Sequence, residues 1–191
     1  MVPEIYTIKY YDESFLAIMA KPRSGDWLED EIYGLSTLGV NVVVSLLDLG
    51  EILELGLRDE QKICEANGIE YLSFPIKDRS VPESPAHTVR FVRNLHLQLL
   101  GGQNMVIHCR AGIGRSGLMA ACLLVHAHEP PGKAFGRISQ ARRLNVPDTE
   151  EQKDWVSGIY RFYEKKTDTE AAPDTFRPWN TEPSQCLWAS C

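Results

Sequence analysis

The chain of 191 residues is poor in positive charge, with 20 lysines and arginines against 26 acidic residues and a formal net charge of −6. A general nucleic-acid binder is thereby disfavoured, because a phosphate backbone demands a basic face. No run approaches the ~18 consecutive apolar residues of a membrane span. The start, "MVPEIYTIKYYD", lacks a basic stretch followed by an apolar one, so no signal peptide is visible. Cysteines are few and odd in number: Cys64, Cys109, Cys122, Cys186 and Cys191. They form no disulfide framework and no zinc spacing, which points to a reducing, cytosolic compartment and to no metal. His126 and His128 lie two apart on one helix and face different ways, and His87 and His96 stand alone in the sequence. No internal repeat occurs.

What is present suits one core. Hydrophobic residues make up 43%, enough for a single domain without staples. We place that domain at 1–166 and a tail, rich in proline, threonine and acid, at 167–191. "IYTIKYY" and "FLAIMA" read as two short strands. Asp26, with Glu29 three residues on, has capping-box spacing for a helix to Leu38. Val40–Leu47 is a β-branched run of the kind buried on both faces. Asp59–Asn67 reads as a helix closed by Gly68, Ile69–Ile76 as a strand, and Ser84–Leu100 as a helix closed by Gly101. A very short strand, Met105–His108, precedes a helix to about His128. Helices over Lys133–Arg143 and from Asp148 or Thr149 to Lys165 follow. Alternating strands and helices predict an α/β fold: a mostly parallel sheet of four to five strands flanked by helices.

Between that very short strand and the next helix lies "HCRAGIGRSG", His108 to Gly117. Strand, glycine-bearing loop and helix N-terminus together make an anion cradle, with loop N–H groups and the helix dipole converging on one point. The cradle is built from Arg110, Ala111, Gly112, Ile113, Gly114 and Arg115. Gly112 and Gly114 allow close backbone approach, and Arg115 offers a bidentate fork for phosphate oxygens. A cysteine at the base of such a cradle is held toward the thiolate and faces a bound phosphoryl group as a nucleophile.

The pattern H-C-x-x-G-x-x-R-S resembles the signature of the cysteine-based protein tyrosine phosphatases. The resemblance covers roughly residues 5–165. It implies that Cys109 attacks phosphorus and that Arg115 binds the phosphoryl oxygens and the transition state. It further implies that Ser116 helps the sulfur leave and that His108 holds the loop's shape. Expelling an oxide requires a proton donor. In the family this is an aspartate on an upstream loop, and "FPIKDRSVPES" offers Asp78, 31 residues before Cys109; Asp48 and Glu83 are its nearest competitors. Gln152, in "LNVPDTEEQ", matches a glutamine that positions the hydrolytic water in several members.

The chain is shorter than the larger tyrosine-specific branch and lacks its tryptophan-proline-aspartate acid loop, so the likeness is closer to the dual-specificity type. Tyr10, Tyr11 and Trp27 are candidate pocket walls; Arg23 and Arg79 are candidate rim cations. Arg110 and Ile113 stand where phosphoinositide phosphatases often carry two lysines, which favours a phosphorylated protein as partner. Expected, then, is a cofactor-free hydrolase of phosphotyrosine, with phosphoserine and phosphothreonine as further substrates, monomeric and with no nucleic acid or membrane partner. The alternatives are a phosphoinositide or other small-ester phosphatase, a phosphopeptide-binding module without turnover, and a sulfur- or arsenate-handling enzyme.

Overall fold

The structure, a computed structural model, describes residues 2–167, with side chains to 164. Five strands form one sheet in the order β1-β2-β5-β3-β4. They are β1 (Tyr6–Tyr10), β2 (Phe15–Met19), β3 (Val42–Ser45), β4 (Glu70–Ser73) and β5 (Met105–His108). Only the β1–β2 hairpin is antiparallel; β2–β5, β5–β3 and β3–β4 are parallel. The helices are α1 (Leu28–Thr37), α2 (Leu49–Glu54), α3 (Glu60–Ala66), α4 (Pro85–Leu100), α5 (Gly114–His126), α6 (Pro131–Arg142) and α7 (Glu150–Thr167). The expected α/β architecture is observed. The tail from 168 to 191, with Cys186 and Cys191, lies outside the described residues.

The period of two along the central strands sorts the core into two layers. Val42, Val44, Met105 and Ile107 pack with Leu95, Leu118 and Ile138 beneath α4–α7. Val43 and Val106 pack with Ile32, Leu35 and Cys64 beneath α1 and α3. Both faces of β5 are thus covered, which is why its four residues are all buried. Helix α5 runs behind the sheet with every residue from Gly114 to Val125 buried.

Several local expectations change. Asp26 caps nothing by its side chain: it sits in a 3-10 turn, Gly25–Trp27, and α1 starts at Leu28, whose burial fixes where the helix begins. The strands of the β-branched and Ile69–Ile76 runs are shorter than expected, at four residues each. Leu46 and Ile76 leave the ladder yet keep one backbone bond, Ile76 N–H to the Leu46 carbonyl at 3.1 Å. Helix α2 was not expected. It is short, and its signal is the spacing Asp48-x-x-Glu51: Asp48 accepts from the Glu51 N–H at 2.9 Å, and the Glu51 carboxylate accepts from the Asp48 N–H. Pro131 opens α6 at its first turn, where a missing N–H costs nothing.

His96 does not stand alone. Its ring meets His126 at 5.0 Å between centroids, and Tyr11 and Tyr163 flank the pair. Burial depresses both histidines, His126 to about 4. Tyr10 and Tyr11 line a hollow of their own with Leu99 and Leu100, away from the phosphate loop. Tyr10 pairs with Phe15, at the end of the hairpin far from the Met19–His108 pair.

Candidate active site

The parallel strands β2, β5, β3 and β4 end on one side, and the chain turns there into loops. Cys109 follows β5 directly and is 3% exposed. The loop after it is fixed from below. Gly112 takes φ +68, and a Cβ there would collide with the Met19 carbonyl and the Ala20 nitrogen. A glycine is therefore required twice over, by dihedral and by space. Gly114, the first residue of α5, has ordinary φ, but a Cβ would strike the Asp148 carboxylate. The loop is also held from behind. Arg142 donates from Nε to the Gly112 carbonyl at 3.0 Å and from Nη2 to the Ala111 carbonyl at 3.1 Å. Its guanidinium stacks on Tyr6 at 4.0 Å. Two loop carbonyls are thus turned back to Arg142.

Arg115 is 2% exposed. A buried guanidinium is tolerable only when its donors are matched. Glu51 supplies a bidentate carboxylate, with Nη2–Oε1 at 2.8 Å and Nη1 on Oε2. The Ile76 carbonyl accepts from Nη1 at 2.9 Å. Asp78 Oδ1 lies 2.9 Å from Nη2. The Nε–H donates to none of these. Glu51 raises the guanidinium further against the opposing effect of burial. Cys109 and Asp78 contribute to that rise too, which places both side chains near the same cation.

The expected site residues thus largely come together. Asp78 meets Arg115, 37 residues further along the sequence, so one ion pair joins the two loops. Ser116 is fully buried, and its Oγ has no hydrogen-bond partner. Gln152 is fully buried as well: its Nε2 donates to the Ser80 carbonyl at 3.1 Å, and its Oε1 is unpartnered. It ties α7 to the acid loop. His108 is buried under the sheet with Nε2 3.0 Å from Glu60 Oε1. Arg110 is half-exposed at the rim and paired with Glu54 at 2.8 Å.

Other candidates fall away from the chemistry. Asp48 caps α2, and with Glu83 it lines a hollow beside the acid loop, of about 330 Å³. Arg23 is engaged by Glu31 at 3.2 Å. Trp27 is half-exposed in its 3-10 turn. Cys64 and Cys122 are buried on opposite faces of the sheet. Burial pushes the Cys64 thiol up to about 12 and the Cys122 thiol up as well, so neither is a ready thiolate. Three residues of the site escaped sequence reasoning: Glu51, Arg142 and Glu60. Only Glu51 had a local signal, the capping-box spacing.

Comparison with known proteins agrees with this geometry. The family described as "Polymorphic toxin system, DSP-PTPase phosphatase" matches residues 17–129. The putative tyrosine phosphatase 197R of invertebrate iridescent virus 6 is 29% identical over 153 residues, covering 76% of this chain and 52% of that protein. Tyrosine-protein phosphatase 1 of Caenorhabditis elegans is 35% identical over 85 residues, 40% of this chain and 8% of that one. The chain therefore spans about half the length, or less, of the curated relatives it first matches. Among solved structures, kinase associated phosphatase with its catalytic-site cysteine replaced by serine superposes with a TM-score of 0.75 at 20% identity, over 89% of this chain and 98% of that one. PTPMT1 does so at 0.72 and 20% identity, over 87% and 100%. At such identities these structures establish the fold.

Proposed function

The chain belongs to the DSP-PTPase phosphatase family, and from that premise we propose that it hydrolyses phosphotyrosine in phosphorylated proteins, with phosphoserine and phosphothreonine as further substrates. The observation that carries the reading is the Arg115 guanidinium shared between the two loops, with Asp78 on one of its nitrogens. A phosphoryl group bound by the loop N–H groups and the Arg115 guanidinium displaces Asp78 from Nη2. The displaced carboxyl then stands beside the leaving oxygen.

In the first step Cys109 Sγ forms a bond to phosphorus, the bond from phosphorus to the ester oxygen breaks, and Asp78, having taken up a proton from water on its release from Arg115, delivers it to that oxygen. Arg115 and the loop N–H groups balance the charge on the equatorial oxygens. In the second step water attacks the cysteinyl phosphate, Asp78 takes its proton, and the sulfur leaves as thiolate. Ser116 Oγ and Gln152 Oε1, both without a hydrogen-bond partner, support roles as donor to that sulfur and acceptor from the water. Arginine and backbone dipoles supply the charge, so the scheme calls for no metal or cofactor. The net charge of −6 supports a partner other than nucleic acid, and the free thiols Cys64, Cys109 and Cys122 support a cytoplasmic setting. Arg110 paired with Glu54 leaves the rim less positive than a multiply charged headgroup needs.

The test is hydrolysis of a small aryl phosphate in the presence of a chelator, by the parent and by Cys109→Ser. Loss of turnover in the variant is expected; full activity overturns the mechanism. Phosphopeptide binding by a parent that performs no turnover would instead make the chain a binding module.

A further inference from the structure

Glu60, the first residue of α3, is fully buried in the layer beneath α1 and α3. A carboxylate without water or a charge partner costs several kcal/mol. Its surroundings do little to relieve that cost. Cys64, one turn on, and Tyr71 are both pushed up in part by the Glu60 charge. Among the described residues the one basic nitrogen within ion-pair reach is His108 Nε2, at 3.0 Å. The two side chains meet at that distance, and neither finds a hydrogen-bond partner elsewhere.

The pleat explains the meeting. Val106 faces the α3 layer, so His108, two residues on, faces it too. The His108 backbone is meanwhile fixed in the sheet, its carbonyl accepting from the Leu46 N–H at 3.0 Å. The next residue is Cys109, which belongs to the other layer. The peptide from His108 to Cys109 is therefore the point where the chain leaves the sheet and enters the cradle.

We propose that Glu60 is a positioning residue for the nucleophile: by pairing with the His108 imidazole it fixes the strand-to-loop junction and with it the place of Cys109 Sγ. The inference rests on the phosphatase reading for its kinetic form. Substrate phosphate meets the loop and Arg115, not Glu60, so the effect falls on kcat and leaves KM.

The experiment compares the parent with Glu60→Gln, which keeps shape and removes the charge, with His108→Ala, and with the double variant. Aryl phosphate kinetics are read beside the rate of Cys109 alkylation by iodoacetamide. Expected are a roughly tenfold loss of kcat in Glu60→Gln at unchanged KM, slower alkylation, and a double variant no worse than His108→Ala alone. If His108→Ala fails to fold, His108→Asn takes its place in the cycle. Parent-like kcat and alkylation in Glu60→Gln, or losses that multiply, overturn the proposal. If the parent hydrolyses no phosphate ester, the functional reading falls, and the alkylation rates still decide the role of Glu60.

Discussion

The phosphate loop and the acid loop lie over the same strand ends but are held by different means. The phosphate loop is part of the core. Cys109, Arg115 and Ser116 are buried, Gly112 sits against the Met19 backbone, and Arg142 pins two carbonyls from behind. The acid loop is a surface segment. The Asp78 side chain is 60% exposed, and Arg79 beside it adopts φ +56. Beyond Ile76, whose carbonyl also meets Arg115, two polar contacts hold it, Asp78 on Arg115 and the Ser80 carbonyl on Gln152. A nucleophile and its oxyanion donors must be placed before substrate arrives. A proton donor that meets the leaving group must instead yield its place to the phosphate. Rigidity on one side and release on the other follow from the two tasks.

The contrast is sharpened first by separating chemistry from support within the floor. Cys109→Ser removes the nucleophile while filling nearly the same space. Turnover of an aryl phosphate is expected to fall by roughly 10⁴-fold or more, with little change in melting temperature.

Asp78→Ala probes the other side. A loss of about 10²–10⁴-fold in kcat is expected, with phosphopeptide still bound and stability hardly altered, because the carboxylate is largely in water. A melting temperature that drops with the activity would break the contrast, since the acid loop would then be part of the core.

Gly112→Ala tests the floor as structure. The methyl group meets the Met19 carbonyl at a φ that L-residues resist. Destabilisation by more than about 1 kcal/mol is expected, together with loss of phosphate-loop function, read by denaturant melts and by kcat. A neutral result would mean the floor is softer than its packing implies.

The smallest effect lies away from both loops, where His96 and His126 meet edge to face, flanked by Tyr11 and Tyr163. Burial holds His126 down at about 4 and depresses His96, with Lys9, His128 and Arg93 adding repulsion. The unfolded chain takes up these protons near pH 6.5 and the folded chain does not. Stability is therefore fully present above that pH and declines as pH falls toward 4. The shift of His126 alone sets a ceiling of about 3 kcal/mol; partial exposure reduces it to on the order of 1 kcal/mol. Thermal melts of the parent and of His126→Phe between pH 7 and 4 read it, the variant showing the smaller decline.

The residues of "HCRAGIGRSG" carry their chemistry in local order. A strand, a glycine loop and a helix N-terminus need only neighbours in sequence, so the phosphate trap was legible before any fold. The two layers of the sheet were legible for the same reason, through β-branched runs and helix periods. The Asp48–Glu51 capping box was written in the sequence too, but a six-residue helix leaves too little periodicity to stand out. Asp78 was found through the resemblance and the spacing of its loop. Its contact with Arg115 could not be read, because ion pairs form in space and leave no mark in either segment.

What the sequence determined by itself is the identity of the reacting groups and the cradle that bends around them, since both are set by dihedral preference and short-range spacing. The tertiary structure alone decided what surrounds them. It brought Glu51 to Arg115, Arg142 to the loop carbonyls, Gln152 to the acid loop and Glu60 to His108. Each of these is a polar side chain drawn to a charge or dipole that folding had removed from water. That pairing depends on which elements the sheet order places side by side, and no local stretch of the chain encodes it.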